Sequence, residues 1–220
     1  MMPRAGRPGR GRPALEDVTV TGKNPADVGS GAAAPQDAEP ALVPDRSCGT
    51  CSLCCKVYSV KELEKPAGRW CVHSVKGGGC GIHLTRPHVC RQFFCSWRFD
   101  PNLGPEWKPE VSRFVLSADP AWQALVVMVD PGMPLAWKRA PYYPMLKKFS
   151  EVFFRINQKV LVNLGGHITV LLPDCEVPIG HMTPGEEIVL WRDGPSYCAA
   201  LRRNLEPAKV PSATVGSGSM

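Results

Sequence analysis

The sequence predicts an α+β protein: a small cysteine-rich unit followed by a small antiparallel α+β unit, behind a disordered N-terminal tail. Three observations carry that expectation. Eight of the ten cysteines fall within 48 consecutive residues, from Cys48 to Cys95. The 220 residues include 23 Pro and 21 Gly, too many breakers for a helical bundle. Past residue 108, one helix-periodic segment stands among short strand-like runs bounded by Gly, Pro or Asp.

Taken in order, residues 1–46 are dominated by Gly, Ala, Pro and Asp. Such a segment buries too little apolar surface to offset its chain entropy and reads as a disordered tail. Residues 47–108 form the cysteine-rich unit. It is poor in apolar residues and broken at Gly77-Gly78-Gly79, so it needs a staple, which bound metal can supply. One helix is legible there: Arg86-Pro87 places proline where a first turn tolerates it, and His88 to Phe94 continues it.

Residues 109–205 form the α+β unit. Val111 to Leu116 and Ala124 to Val129 read as strands around an Asp119-Pro120 turn. Met145, Leu146, Phe149, Val152, Phe153 and Ile156 recur at spacings of three and four, which makes Tyr143 to Asn157 an amphipathic helix. Strands follow at Val160–Asn163, Ile168–Leu172, Ile188–Trp191 and Tyr197–Leu201, with Gly165-Gly166-His167 as a turn. Residues 206–220 read as a flexible tail.

Composition excludes several classes. The longest uncharged stretch, Val160 to Pro173, is 14 residues and too interrupted to span a bilayer, so no membrane partner is expected. Arg4, Arg7, Arg10 and Arg12 precede no apolar run, so no secretory signal is read and the reducing cytoplasm is the expected compartment. Clustered thiols in that setting read as metal ligands rather than as disulfides. The formal net charge is +6. Metal-bound thiolates would bring it nearer neutral, and no Lys/Arg run provides a basic face, so nucleic acid is not the expected partner. G-x-S-x-G, P-loop and G-x-G-x-x-G motifs are absent, and His167, Asp174 and His181 come with no nucleophile, so catalytic residues stay unknown.

The chemistry concentrates in Cys48-Gly-Thr-Cys51-Ser-Leu-Cys54-Cys55. Two residues between cysteines let the backbone curl until both sulfurs reach one metal centre. C-x2-C-x2-C is what a [4Fe–4S] cluster takes from one loop, with a fourth ligand from elsewhere; the same pairs serve zinc. Cys71, Cys80, Cys90 and Cys95 supply the second half, Cys80 and Cys90 in C-x9-C spacing. Which of Cys54 and Cys55 ligates, and whether eight thiols hold one cluster or two zinc ions, stays open on spacing alone.

His73, His83 and His88 lie among the cysteines, and each could complete a Cys3His site, His83 first. Arg86 and Arg91 are placed to offset thiolate charge and donate to sulfur. Phe93, Phe94, Trp97 and Phe99 would shield the site, whereas Cys175 and Cys198 read as small buried hydrophobes.

Cys48-x2-Cys51-x2-Cys54-Cys55, followed by Cys80-Gly-Ile82-His83-Leu-Thr-Arg86-Pro87-His88-Val-Cys90-Arg91-Gln-Phe93, resembles the YkgJ-type cysteine-cluster proteins, a family described as zinc- or iron-chelating. The match spans 48 of 220 residues, with His83 where the family has Tyr and Ser52 where it often has Gly. The resemblance implies metal binding; some relatives are linked to protein-methylation systems. The expected function is therefore metal binding by the cysteine cluster, iron–sulfur or zinc, in a structural or redox role. The alternative is an enzyme or protein-modification factor that uses the metal, its C-terminal half holding a substrate or a protein partner.

Overall fold

The computed structural model describes residues 41–183 and 185–203, all within one compact unit. The tail at 206–220, and that at 1–46 up to residue 40, lie outside the described residues. Val43 and Arg46 are already part of the packed fold: Val43 N–H donates to Arg98 O at 2.9 Å, and the Arg46 side chain to four carbonyls of 97–103.

The cysteine-rich segment is built from short pieces. Helix α1 is Cys54–Val57, strands β1 and β2 are Ser74–Val75 and Gly79–Cys80, and helices α2 and α3 are His88–Gln92 and Ser96–Phe99. The Gly77-Gly78-Gly79 break is the tip of the β1–β2 hairpin, where Gly77 and Gly79 take φ values of 70° and 77° that glycine adopts without steric cost. The helix predicted over 88–94 ends at Gln92, because Phe93 is extended. Cys90 and Cys95 therefore sit on different elements, Cys95 leading into α3.

The remainder is a five-stranded sheet with one long helix. After helix α4 (Pro109–Ser112) come β3 (Phe114–Asp119), β4 (Ala124–Val129), α5 (Tyr142–Arg155), β5 (Lys159–Leu164), β6 (His167–Leu171) and β7 (Glu176–Gly180). A separate hairpin, β8 (Glu186–Asp193) and β9 (Ser196–Arg203), follows. The strand predicted from Val111 begins at Phe114 instead: Pro109 starts a helical turn that the left-handed Arg113, φ 65°, ends.

The sheet order is β3-β4-β5-β6-β7, antiparallel except for β4 and β5, which are parallel. An antiparallel unit was the expectation, and three of the four strand pairs meet it. The parallel pair comes from α5, which returns the chain across the sheet as a crossover, as a parallel pair requires. Both strands are buried on both faces, as parallel strands are.

Each sheet face has its own cover. Leu125, Val127 and Val129 point, with Phe114 and Leu116, toward α5 and the fully buried Leu146. Trp107, Phe114 and Tyr142 meet edge-on there, with ring centroids 5.0–5.9 Å apart. On the opposite face Val126, Leu161 and Val170 pack under Ile188 and Ala199 of the β8–β9 hairpin. At the β3 edge of that same face, Val115 packs with Leu53 and Val57 of the cysteine-rich segment. The sheet is thus the floor on which the thiols stand.

Candidate metal centre

The Cys48–Cys51 loop is a tight turn: Cys51 N–H donates to Cys48 O at 2.8 Å and Gly49 takes φ 51°. Buried Leu53 and Val57 anchor α1 on Val115. Cys54 and Cys55 open that helix as neighbours, so their side chains diverge by about 100° around its axis. The β1–β2 hairpin closes over the loop so tightly that a Cβ on Gly79 would stand 2.5 Å from Gly49 O. Cys71 N–H donates to Cys55 O at 3.0 Å, and the Arg86 guanidinium ties the 80–83 turn to α2 by donating to His83 O and Cys90 O at 3.0 and 3.1 Å.

These pieces bring all eight clustered cysteines to one cavity of about 750 Å³. Tyr58, Ile82, Phe93, Phe94 and Val115 are among its apolar walls, and His83 and Arg86 reach its rim. His88 and Arg91 are exposed and His73 half-buried, none of them on this cavity. Trp97 instead packs into the core beside α5. Cys175 and Cys198 lie elsewhere, Cys175 packed under the β8–β9 hairpin with its thiol toward Tyr197 O at 3.8 Å. All ten cysteines are free thiols.

Among the described residues, no three His, Cys, Asp or Glu side chains are grouped tightly enough to hold an ion as they stand.

Three cations that carried no motif signal serve this cavity. Lys65 is only 7% exposed; its ammonium donates to the carbonyls of Lys56, Tyr58 and Pro66. Burial lowers its pKa, and the thiols of Cys71, Cys55, Cys54 and Cys90 oppose that shift. Arg98 donates from Nη1 to Cys48 Sγ at 3.4 Å, while its buried Nε has no partner among the described residues. Arg46 stacks on Trp97 at 5.1 Å and donates to the carbonyls of Trp97, Asp100 and Leu103 at 2.5–2.8 Å, fixing the segment that carries Arg98.

The thiols are not equivalent. Burial pushes Cys95 up to about 11 and also raises Cys51, Cys80 and Cys90. Cys55 goes the other way, to about 7, because the Cys54 thiol hydrogen-bonds its thiolate, with Lys65 also favouring the charge. Within that pair Cys54 keeps its proton, its pKa raised by the same hydrogen bond. Convergent soft donors, buried cations and an orphaned N–H beside a thiol fit a thiolate-bound metal group. No family model, curated protein or solved structure matches this chain.

Proposed function

We propose that this is a metal-binding protein whose cysteine cluster holds iron, as a [4Fe–4S] cluster, or zinc, in a structural or redox role. The observation that carries the reading is that eight cysteines spread over 48 residues line a single cavity. Free thiols gathered this way, with Lys65 and Arg98 against them, make a donor set for thiophilic metal. The resemblance of the two cysteine motifs to the YkgJ-type pattern points the same way. The three thiols that C-x2-C-x2-C places on one loop favour the cluster over a lone zinc ion. Thiolate ligands suit a reducing compartment, and the cytoplasm is the setting we propose.

The deciding experiment is elemental analysis with a visible spectrum on full-length protein purified without oxygen. Brown protein carrying iron and acid-labile sulfide supports the cluster; colourless protein carrying zinc supports the zinc form. Cys51→Ser and Cys54→Ser should lose metal while Cys198→Ser keeps it. Full metal content in the first two, or a wild-type chain that carries neither metal, would overturn the reading.

A further inference from the structure

Resting on the reading of the thiols as metal ligands, we infer that they form two separate four-thiol sites divided between the neighbours Cys54 and Cys55. One site comprises Cys48, Cys51, Cys54 and Cys95; the other comprises Cys55, Cys71, Cys80 and Cys90. Each would take one thiophilic metal centre.

The division follows from how the chain ties the residues together. In the first set, the turn from Cys51 N–H to Cys48 O joins two members at 2.8 Å. Arg98 joins Cys48 to Cys95: its Nη1 donates to Cys48 Sγ at 3.4 Å, and its own N–H donates to Cys95 O at 2.9 Å. Cys54 and Cys95 both pack on the buried Leu53, Val57 and Val115.

In the second set, Cys71 N–H donates to Cys55 O, and Ser74 N–H to Cys71 O, each at 3.0 Å. Ser74 then pairs with Cys80 across the hairpin. Arg86 links the turn after Cys80 to Cys90 through His83 O and Cys90 O. No member of this set packs on the Leu53–Val57–Val115 cluster. The roughly 100° between adjacent helical side chains lets one step along α1 serve both sites.

Each set also has a guanidinium of its own: Arg98, which donates to Cys48 Sγ at 3.4 Å, for the first, and Arg86, which donates to Cys90 O at 3.1 Å, for the second.

The test is metal per chain in paired variants of the full-length protein, prepared without oxygen. Cys54→Ser combined with Cys95→Ser should keep half of the wild-type metal, because both lesions fall in one site. Cys55→Ser combined with Cys95→Ser should keep none. Equal losses from the two pairs would overturn the division while leaving metal binding standing. A wild-type chain without metal would overturn both readings at once.

Because cysteine variants can unfold, a second measurement uses the reduced wild-type chain and cobalt(II) alone. The thiolate-to-cobalt absorption should rise until two equivalents are bound. A plateau at one equivalent would overturn the two-site division.

Discussion

Lys56, the residue after the Cys54-Cys55 pair, is ion-paired at 2.5 Å with Asp130, which follows β4. Both side chains are largely buried, at 17% and 8% exposure, and Asp130 Oδ1 also accepts the Gly132 N–H at 2.9 Å. The pair pins the helix bearing both central thiols to the sheet. Asp130→Asn leaves a buried ammonium without its counter-charge and should destabilise the fold by about 2 kcal/mol in chemical denaturation. Lys56→Met combined with Asp130→Asn should recover part of that loss, since neither charge is then stranded.

Cys55 should be the first thiol alkylated in the reduced, metal-free chain. Its hydrogen bond from Cys54 brings its pKa to about 7, whereas burial leaves Cys51, Cys80, Cys90 and Cys95 protonated at that pH. Labelling with iodoacetamide across pH 5–9, followed by peptide mass analysis, should show a half-maximal rate at Cys55 near pH 7. Lys65→Met should move that midpoint upward, because it removes a charge that favours the thiolate. A uniform rate over all eight thiols would contradict this account.

Alkaline pH should weaken the metal-free fold. The native Cys95 thiol, at about 11, holds a proton that an unfolded thiol near 9.0 releases. Its contribution to stability is therefore complete below pH 9 and is lost as pH rises toward 11. The loss is on the order of 2 kcal/mol over that window. Cys95→Ala should flatten this part of the stability–pH curve.

Two glycines of the β1–β2 hairpin separate conformational strain from contact. Gly77 and Gly79 both have positive φ, yet a Cβ at Gly77 meets nothing within 4 Å, while at Gly79 it meets Gly49 O at 2.5 Å. Gly77→Ala should cost about 1 kcal/mol, the strain alone. Gly79→Ala should cost clearly more and lower metal content, because it pushes the hairpin away from the Cys48–Cys51 loop. Equal effects from the two would show that the contact does not hold the cavity closed.

Local signals were the legible ones. The three-and-four spacing of Leu146, Phe149 and Phe153 located α5 to within two residues at each end, because that face packs on the core. The run at Ala124–Val129 matches β4 at both ends. What escaped was non-local. Pro178 hid β7, an edge strand where a missing N–H is tolerated. Nothing within β4 or β5 states which way its neighbour runs.

At the thiol cavity, cysteine spacing picked out the eight residues that the fold gathers, while the cations depended on tertiary placement. Lys65 sits in Lys-Glu-Leu-Glu-Lys-Pro, which reads as a solvated run, yet its bridge to Val60 and the carbonyls of Lys56, Tyr58 and Pro66 hold it inward. Arg91 carried the motif signal but is exposed, whereas Arg98, without one, reaches Cys48.

The floor of the cavity has a consequence for synthesis. Val115, fully buried beneath Leu53 and Val57, comes 20 residues after the last clustered cysteine. A chain that emerges from the ribosome N-terminus first exposes every one of those thiols before the strand that seats them exists. The nascent segment is then open to oxidants and to stray metal alike. On the proposed metal-binding reading, loading would wait until β3 seats the thiols.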